Sequence, residues 1–224
     1  MRVYLASPRN QLQAEHASGH PVLLSFAVCP AWIEKGYVAS FDRLLLDSGA
    51  FSEMNSGTVI DLGEYAEWAS RFRHVDAVAG LDDINGDWRL SLKRYEKGIG
   101  FPTMHDTDPE EVLGELIPIA RERGGWIGIG IKPNPTRAGR EDWLRRILDR
   151  IPDEIHVHGW ALRAYSHLTR IDSFDSTTWW HDAMRIRGVL GEWATYAEAL
   201  ELSIKRIQRT SRTPISECDQ GSMF

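Results

Sequence analysis

The run Leu44-Leu45-Leu46-Asp47-Ser48-Gly49-Ala50-Phe51-Ser52 constrains the chain more than any other stretch. Three consecutive leucines read as a strand buried on both faces, as in parallel sheets. The strand breaks off into Asp-Ser-Gly-Ala, where small residues let backbone and ligand approach closely. Asp47 therefore stands at the carboxyl end of a buried strand, the place where α/β folds put their ligands. The plainer alternative is that Asp47 only caps the helix that follows.

The same grammar runs through the chain. Short apolar runs predict strands over 3–6, 22–26, 44–47, 77–82, 101–105, 126–131, 155–158 and 171–175. Amphipathic segments between them predict helices over 11–16, 30–38, 62–72 (opened by Asp61 as N-cap), 88–97, 110–123, 140–150, 162–168 and 192–209. Asp108-Pro109-Glu110-Glu111 reads as a cap, a first-turn proline and acids on the helix dipole. Strands alternating with helices demand a parallel sheet, and at 224 residues the pattern fits one compact TIM-type (β/α)8 barrel. The expected barrel covers residues 1–211, with 212–224 a tail, and a doubly wound open sheet is the alternative.

Composition narrows the setting. A hydrophobic fraction of 42% is globular, and the two cysteines, Cys29 and Cys218, make neither a disulfide framework nor a cysteine-rich zinc site. No window approaches the roughly eighteen apolar residues of a membrane span, so a soluble, cytoplasmic protein is expected. The net charge of −6 does not advertise a nucleic-acid binder, although a local basic stripe can suffice.

The expected strand ends carry Asp47 and Ser48, Asp82 and Asp83, His105, Gly128 and Gly130, His156, His158 and Gly159, then Asp172 and Asp175. Asp172 and Asp175 point to opposite faces, so Asp175 is taken as the site residue and Asp172 as support. Two carboxylates from opposite sides of a barrel, Asp47 and Asp175, are equipment for glycosidic chemistry, in which one attacks the anomeric carbon and the other moves a proton. Asp82 is placed to hold a polar substrate edge. Ser173 to Trp180 continues with hydroxyls and large rings, suiting a pocket for a sugar and a base.

DSGAFS at 47–52, GLDD at 80–83, WIGIGI at 126–131 and SFDSTTW at 173–179 resemble, in this order, motifs of the tRNA-guanine transglycosylase family. They look closest to its shortened relatives in phages and bacteria that insert 7-deazaguanines into DNA, and the resemblance spans roughly residues 3 to 180. It implies a (β/α)8 barrel that exchanges guanine in a polynucleotide for a free 7-deazaguanine base (queuine or preQ0 type) through a covalent sugar–enzyme intermediate. Asp175 matches the family's nucleophile, Asp47 its general acid/base, and Asp82 the acid that reads the guanine edge. By the same resemblance Ser48 would shape the base pocket, Phe51 would wall it, and the Gly128–Gly130 strand would bring backbone amides to the base. His105 stands where the family usually carries a glutamine and would contact the base.

The tRNA enzymes carry a structural zinc near the C-terminus, built mainly from cysteines. Only Cys218 lies in that region here, so neither zinc nor another cofactor is expected. The missing insertion makes DNA the expected polymer rather than tRNA, and a protein partner supplying basic surface stays open. A base inside a duplex cannot reach the mouth of a barrel, so the target nucleotide must be flipped out or single-stranded. Trp160, Trp179 and Trp180 are candidates to stack on bases, and Arg137, Arg140 and Arg163 to contact phosphates.

Two other readings compete. His105, His156, His158 and Asp175 have the residue types of a metal-dependent hydrolase site. In a simpler histidine reading, His158 donates to substrate or backbone while His156 faces outward. A non-enzymatic module that only recognises a deazaguanine would keep the pocket and lose the acids.

Overall fold

The computed structural model describes residues 1–57, 59–84, 86–131, 137–160, 162–191 and 194–210. The expected tail over 212–224, Cys218 and the side chain of Arg137 lie outside the described residues.

Eight strands form one curled parallel sheet: β1 (Arg2–Ala6), β2 (Pro21–Ser25), β3 (Arg43–Asp47), β4 (Val75–Val78), β5 (Thr103–His105), β6 (Trp126–Gly130), β7 (His156–Trp160) and β8 (Ser173–Ser176). Their order is β4-β3-β2-β1-β8-β7-β6-β5. The α helices among the described residues are α1 (Gln11–Ala17), α2 (Ala31–Gly36), α3 (Ala50–Ser56), α4 (Leu62–Ser70), α5 (Trp88–Lys97), α6 (Leu113–Glu122), α7 (Arg137–Leu148), α8 (Thr178–Leu190) and α9 (Tyr196–Thr210). The architecture is TIM-like, but the ladder does not run round the ring. The two edge strands meet through one isolated parallel bridge, Ala79 with Phe101. There the Phe101 N–H donates to the Val78 carbonyl at 2.7 Å and the Gly80 N–H to the Phe101 carbonyl at 2.8 Å.

The three leucines of β3 show why the sheet curls. Leu44 and Leu46 join an apolar layer between sheet and helices, while Leu45 points the other way into the concave interior. All three are at most 2% exposed, a burial of about 1.5–3 kcal/mol each. The interior holds Tyr4, Ala6, Leu23, Leu45, Ala79 and Phe101, with Trp126 and Trp160 against them. At the amino ends of the strands Asp76 gathers Arg2 at 2.5 Å, the Tyr4 hydroxyl at 2.6 Å and Arg43 at 3.5 Å.

Several expected elements are corrected. β4 begins and ends earlier than 77–82, because a register shift admits Asp76 as an extra residue and only Ala79 pairs beyond Val78. Asp82 thus lies in a loop beyond the strand. The helix expected over 162–168 is only a 3-10 turn, Arg163–Tyr165. Asp108 does not cap the next helix, since its carboxylate accepts the His105 N–H at 2.8 Å; a 3-10 turn over Glu110–Val112 precedes α6. Asp61 does cap α4, accepting from Glu64 N–H at 2.9 Å. The helices α3 and α8 have no counterpart among the expected elements.

Candidate active site

Strand register gathers the acids at one end of the sheet. Asp47 is paired with Ser25 across β2 and β3, Asp175 with Tyr4 across β8 and β1, and His105 with Gly130 and then Trp160 across β5, β6 and β7. The Asp47 carboxylate accepts hydrogen bonds from the Ser25 hydroxyl and the Gly49 N–H, both of which favour its charged form. Burial outweighs them, and the charges of Asp82 and Asp175 add to it, so the carboxyl is pushed up to about 6. Asp47 is therefore close enough to feel both Asp82, in the loop after β4, and Asp175, on β8.

Asp47 does not cap α3; the N-cap is Gly49, in the left-handed conformation at φ 90°. A Cβ there would stand 2.4 Å from the Ala27 Cβ and 3.1 Å from the Ser25 hydroxyl. Glycine is required for this turn, and the turn aims the Gly49 N–H at Asp47.

Asp82 is held from two sides. Its carboxylate meets His105 Nε2 at 2.5 Å, and its carbonyl accepts from Arg94 Nη1 at 2.9 Å. Arg94 also grips Glu53 at 3.0 Å, tying α5 to α3. The Asp83 N–H donates to the Ser91 hydroxyl at 2.8 Å, fixing the next residue of the loop.

On the opposite wall His158 is fully buried, and burial, with His156 beside it, lowers its pKa to about 3. It is neutral. Its Nδ1 lies 2.9 Å from the Ser173 hydroxyl, and its Nε2 faces Asp175 Oδ1 at 3.9 Å. His156 does not face outward: its Nε2 reaches the same hydroxyl at 2.8 Å, and its ring stacks on Trp126. Asp172 supports the start of β8, accepting the Val157 N–H at 2.8 Å.

Other expected site residues are placed differently. The Ser48 side chain is buried and its hydroxyl donates to the Gly80 carbonyl at 3.3 Å. Phe51 is 63% exposed at the start of α3, an open ring beside Asp47 in sequence. The Gly128 N–H is committed to the Pro102 carbonyl, so it does not reach out to a base. Its missing Cβ instead admits the Trp160 indole, whose Nε1 would lie 2.4 Å from it, and Gly130 does the same for the His105 ring. Trp160 packs in the interior and donates to Thr103 at 3.1 Å. Trp179 is wholly buried, with its Nε1 on the Ala6 carbonyl, and has no face for a base. Trp180 is half-buried beneath the Arg9 guanidinium, 4.8 Å from the ring centre. Arg163 is engaged with Thr178 at 2.6 Å and Asp182 at 3.4 Å, bracing α8. Arg140 lies 3.9 Å from Asp106.

The metallohydrolase set is not assembled. His105 pairs with Asp82, while His156 and His158 share Ser173, and among the described residues no three metal-ligating side chains stand close enough together to hold one ion. A groove of about 620 Å³ lined by Arg9, Asn10, Gln11, Leu12, Trp32 and Tyr196 shares no residue with the carboxylate cluster. No helix among the described residues is long and apolar enough to cross a membrane. Compared with family models, with curated proteins and with solved structures, the chain gives no match.

Sequence reasoning missed Ser25, Glu53, Arg94 and Ser173 as supports of the site. Glu53 adjoins the DSGAFS run and Ser173 opens the SFDSTTW run, which are the local signals; Ser25 and Arg94 are joined to their acids only by the fold.

Proposed function

We propose that the chain is a base-exchange transglycosylase that replaces guanine in DNA with a 7-deazaguanine, on a sheet that works as a (β/α)8 barrel. One observation carries it: at the carboxyl end of the sheet Asp47 feels the charges of both Asp82 and Asp175 and is pushed up to about 6. An acid that titrates near neutrality can both give and take a proton, which an exchange reaction requires. The two acids that feel it supply the other roles.

In the proposed reaction the Asp175 carboxylate attacks C1′ of the target nucleotide and the bond from C1′ to N9 breaks. Guanine leaves with the electron pair and takes the proton of neutral Asp47. Asp47, now a carboxylate, removes the N9 proton of the incoming base, whose N9 attacks C1′ and releases Asp175. Two displacements retain the sugar configuration. Asp82, aligned by His105 and Arg94, accepts the N1–H and exocyclic amino group of the base. Phe51 supplies the exposed apolar ring at the mouth, and a flipped or single-stranded nucleotide is the substrate. The DNA-directed, cytoplasmic setting follows from the family resemblance and the missing zinc-bearing insertion.

The test is release of labelled guanine from DNA, and separately from tRNA, on addition of 7-cyano- or 7-aminomethyl-7-deazaguanine. Release from DNA alone, lost together with the covalent adduct in Asp175→Asn, is expected. Release from tRNA alone would overturn the choice of polymer, and full exchange by Asp175→Asn would overturn the nucleophile.

A further inference from the structure

The Ser173 hydroxyl lies between two imidazole nitrogens, 2.8 Å from half-buried His156 Nε2 and 2.9 Å from buried His158 Nδ1. It has one proton to donate and two lone pairs. His158 Nε2, wholly buried, has no hydrogen-bond partner among the described residues and is directed at Asp175 Oδ1 3.9 Å away.

Only one arrangement of protons suits that surrounding. With the proton on Nδ1, His158 would point a bare lone pair at a carboxylate in a site lined by Tyr4, Phe101 and Trp160. An unmade buried acceptor and the repulsion between lone pair and anion both oppose this. With the Ser173 proton donated to Nδ1, the His158 proton sits on Nε2 and faces the carboxylate as a donor. Ser173 then accepts from His156 Nε2–H, and the remaining proton, on His158 Nε2, is directed at the carboxylate.

We infer that the chain from His156 through Ser173 to His158 fixes His158 as the Nε2–H tautomer and makes it the positioning residue for the Asp175 carboxylate. The tautomer stands by itself; its catalytic consequence rests on Asp175 being the nucleophile. The 3.9 Å gap exceeds a hydrogen bond, and such contacts tighten when substrate seats. Burial keeps both histidines neutral-leaning: His158 faces His156 and Asp175, while His156 faces Asp172 and Asp76, which raise its pKa, and Arg2 and Arg170, which lower it. Stacking on Trp126 and the edge-on contact with Trp160 hold the two ring planes.

Nitrogen NMR of the full chain, with His158 assigned by comparison with His158→Gln, reads the tautomer without any reaction. A pyrrole-type Nε2 and pyridine-type Nδ1 are expected, and the reverse pattern overturns the proposal. Carboxyl-carbon NMR then follows the Asp175 carboxyl. His158→Phe, which fills the site without a donor, should raise its apparent pKa by about one unit, whereas His158→Gln, with an amide N–H near Nε2, should leave it nearly in place. An unmoved titration in His158→Phe overturns the donor role. In the exchange assay His158→Phe should slow adduct formation on the order of a hundredfold, the scale of losing one preorganised donor, and His158→Gln should rescue most of it. A correct tautomer and shifted titration with no exchange in the unaltered protein would defeat the proposed function and leave the hydrogen-bond chain standing.

Discussion

His105 Nε2 stands 2.5 Å from Asp82 Oδ2, and neither side chain is more than a tenth exposed. The His105 backbone N–H is bonded to Asp108, so ring and carboxylate are aligned from below before any ligand arrives. Removing the ring in His105→Ala strands a buried acceptor and should cost about 1–3 kcal/mol, a fall in Tm of roughly 3–10 °C. His105→Gln, which restores a donor, should recover part of it. Thermal unfolding of the two variants checks this, and a His105→Ala protein that melts like the parent would show the pairing contributes nothing.

Asp47 makes stability depend on pH with a definite sign. Its folded pKa of about 6 lies above the ordinary 3.8, so between these values the folded state binds more protons than the unfolded one. Stability therefore falls as pH rises through this window, and the loss is complete above it, amounting to about 3 kcal/mol for a shift of two units. Asp47→Asn should be the more stable protein at pH 8 and equal to the parent below pH 4, read from Tm against pH. Its exchange activity should be lost at every pH, since the amide moves no proton.

Gly49→Ala places a side chain where φ is 90° and the Ala27 Cβ is 2.4 Å away. Strain and overpacking together should cost about 2–4 kcal/mol. Because the same turn delivers the Gly49 N–H to Asp47, the Asp47 carboxyl should titrate still higher in this variant. Denaturant unfolding gives the first effect, and carboxyl NMR the second; a Gly49→Ala protein with unchanged midpoint would contradict the required left-handed turn.

Adjacent tryptophans should behave in opposite ways. Trp179→Ala removes a wholly buried indole and its bond to Ala6, a loss of about 3–5 kcal/mol. Trp180→Ala removes a half-buried ring under Arg9, worth about 1 kcal/mol of cation–π contact, and should leave the fold intact while weakening binding to single-stranded DNA. Unfolding midpoints and DNA titrations of the two variants separate the cases, and equal DNA binding by Trp180→Ala and the parent would exclude this ring from the interface.

Much of the scaffold was written locally. Leu44 to Leu46 announces a strand buried on both faces, and the acids follow such strands closely enough to be assigned to one end of a sheet. The helix α8 was hidden because Ser176-Thr177-Thr178-Trp179-Trp180 carries strand-forming residues, and its N-cap Thr177 makes no side-chain capping bond. Seven-residue α3 is too short and polar to show a period. Asp108 illustrates the reverse failure: a sound capping signal was overridden by a competing local bond to the His105 N–H, three residues back. The grip of Arg94 on Glu53 and on the Asp82 carbonyl joins positions far apart in sequence, and no local pattern announces it.

The filled concave interior and the Arg2–Asp76–Arg43 knot beneath it leave the acids approachable from one side. A site closed at its base enforces turn-taking. For an exchange reaction, the departing guanine and its replacement must use the same opening, so the first has to clear it before the second arrives. The sugar, held meanwhile on Asp175, would be the memory that links the two visits, and parallel double-reciprocal plots for nucleic acid and free base would be its kinetic trace.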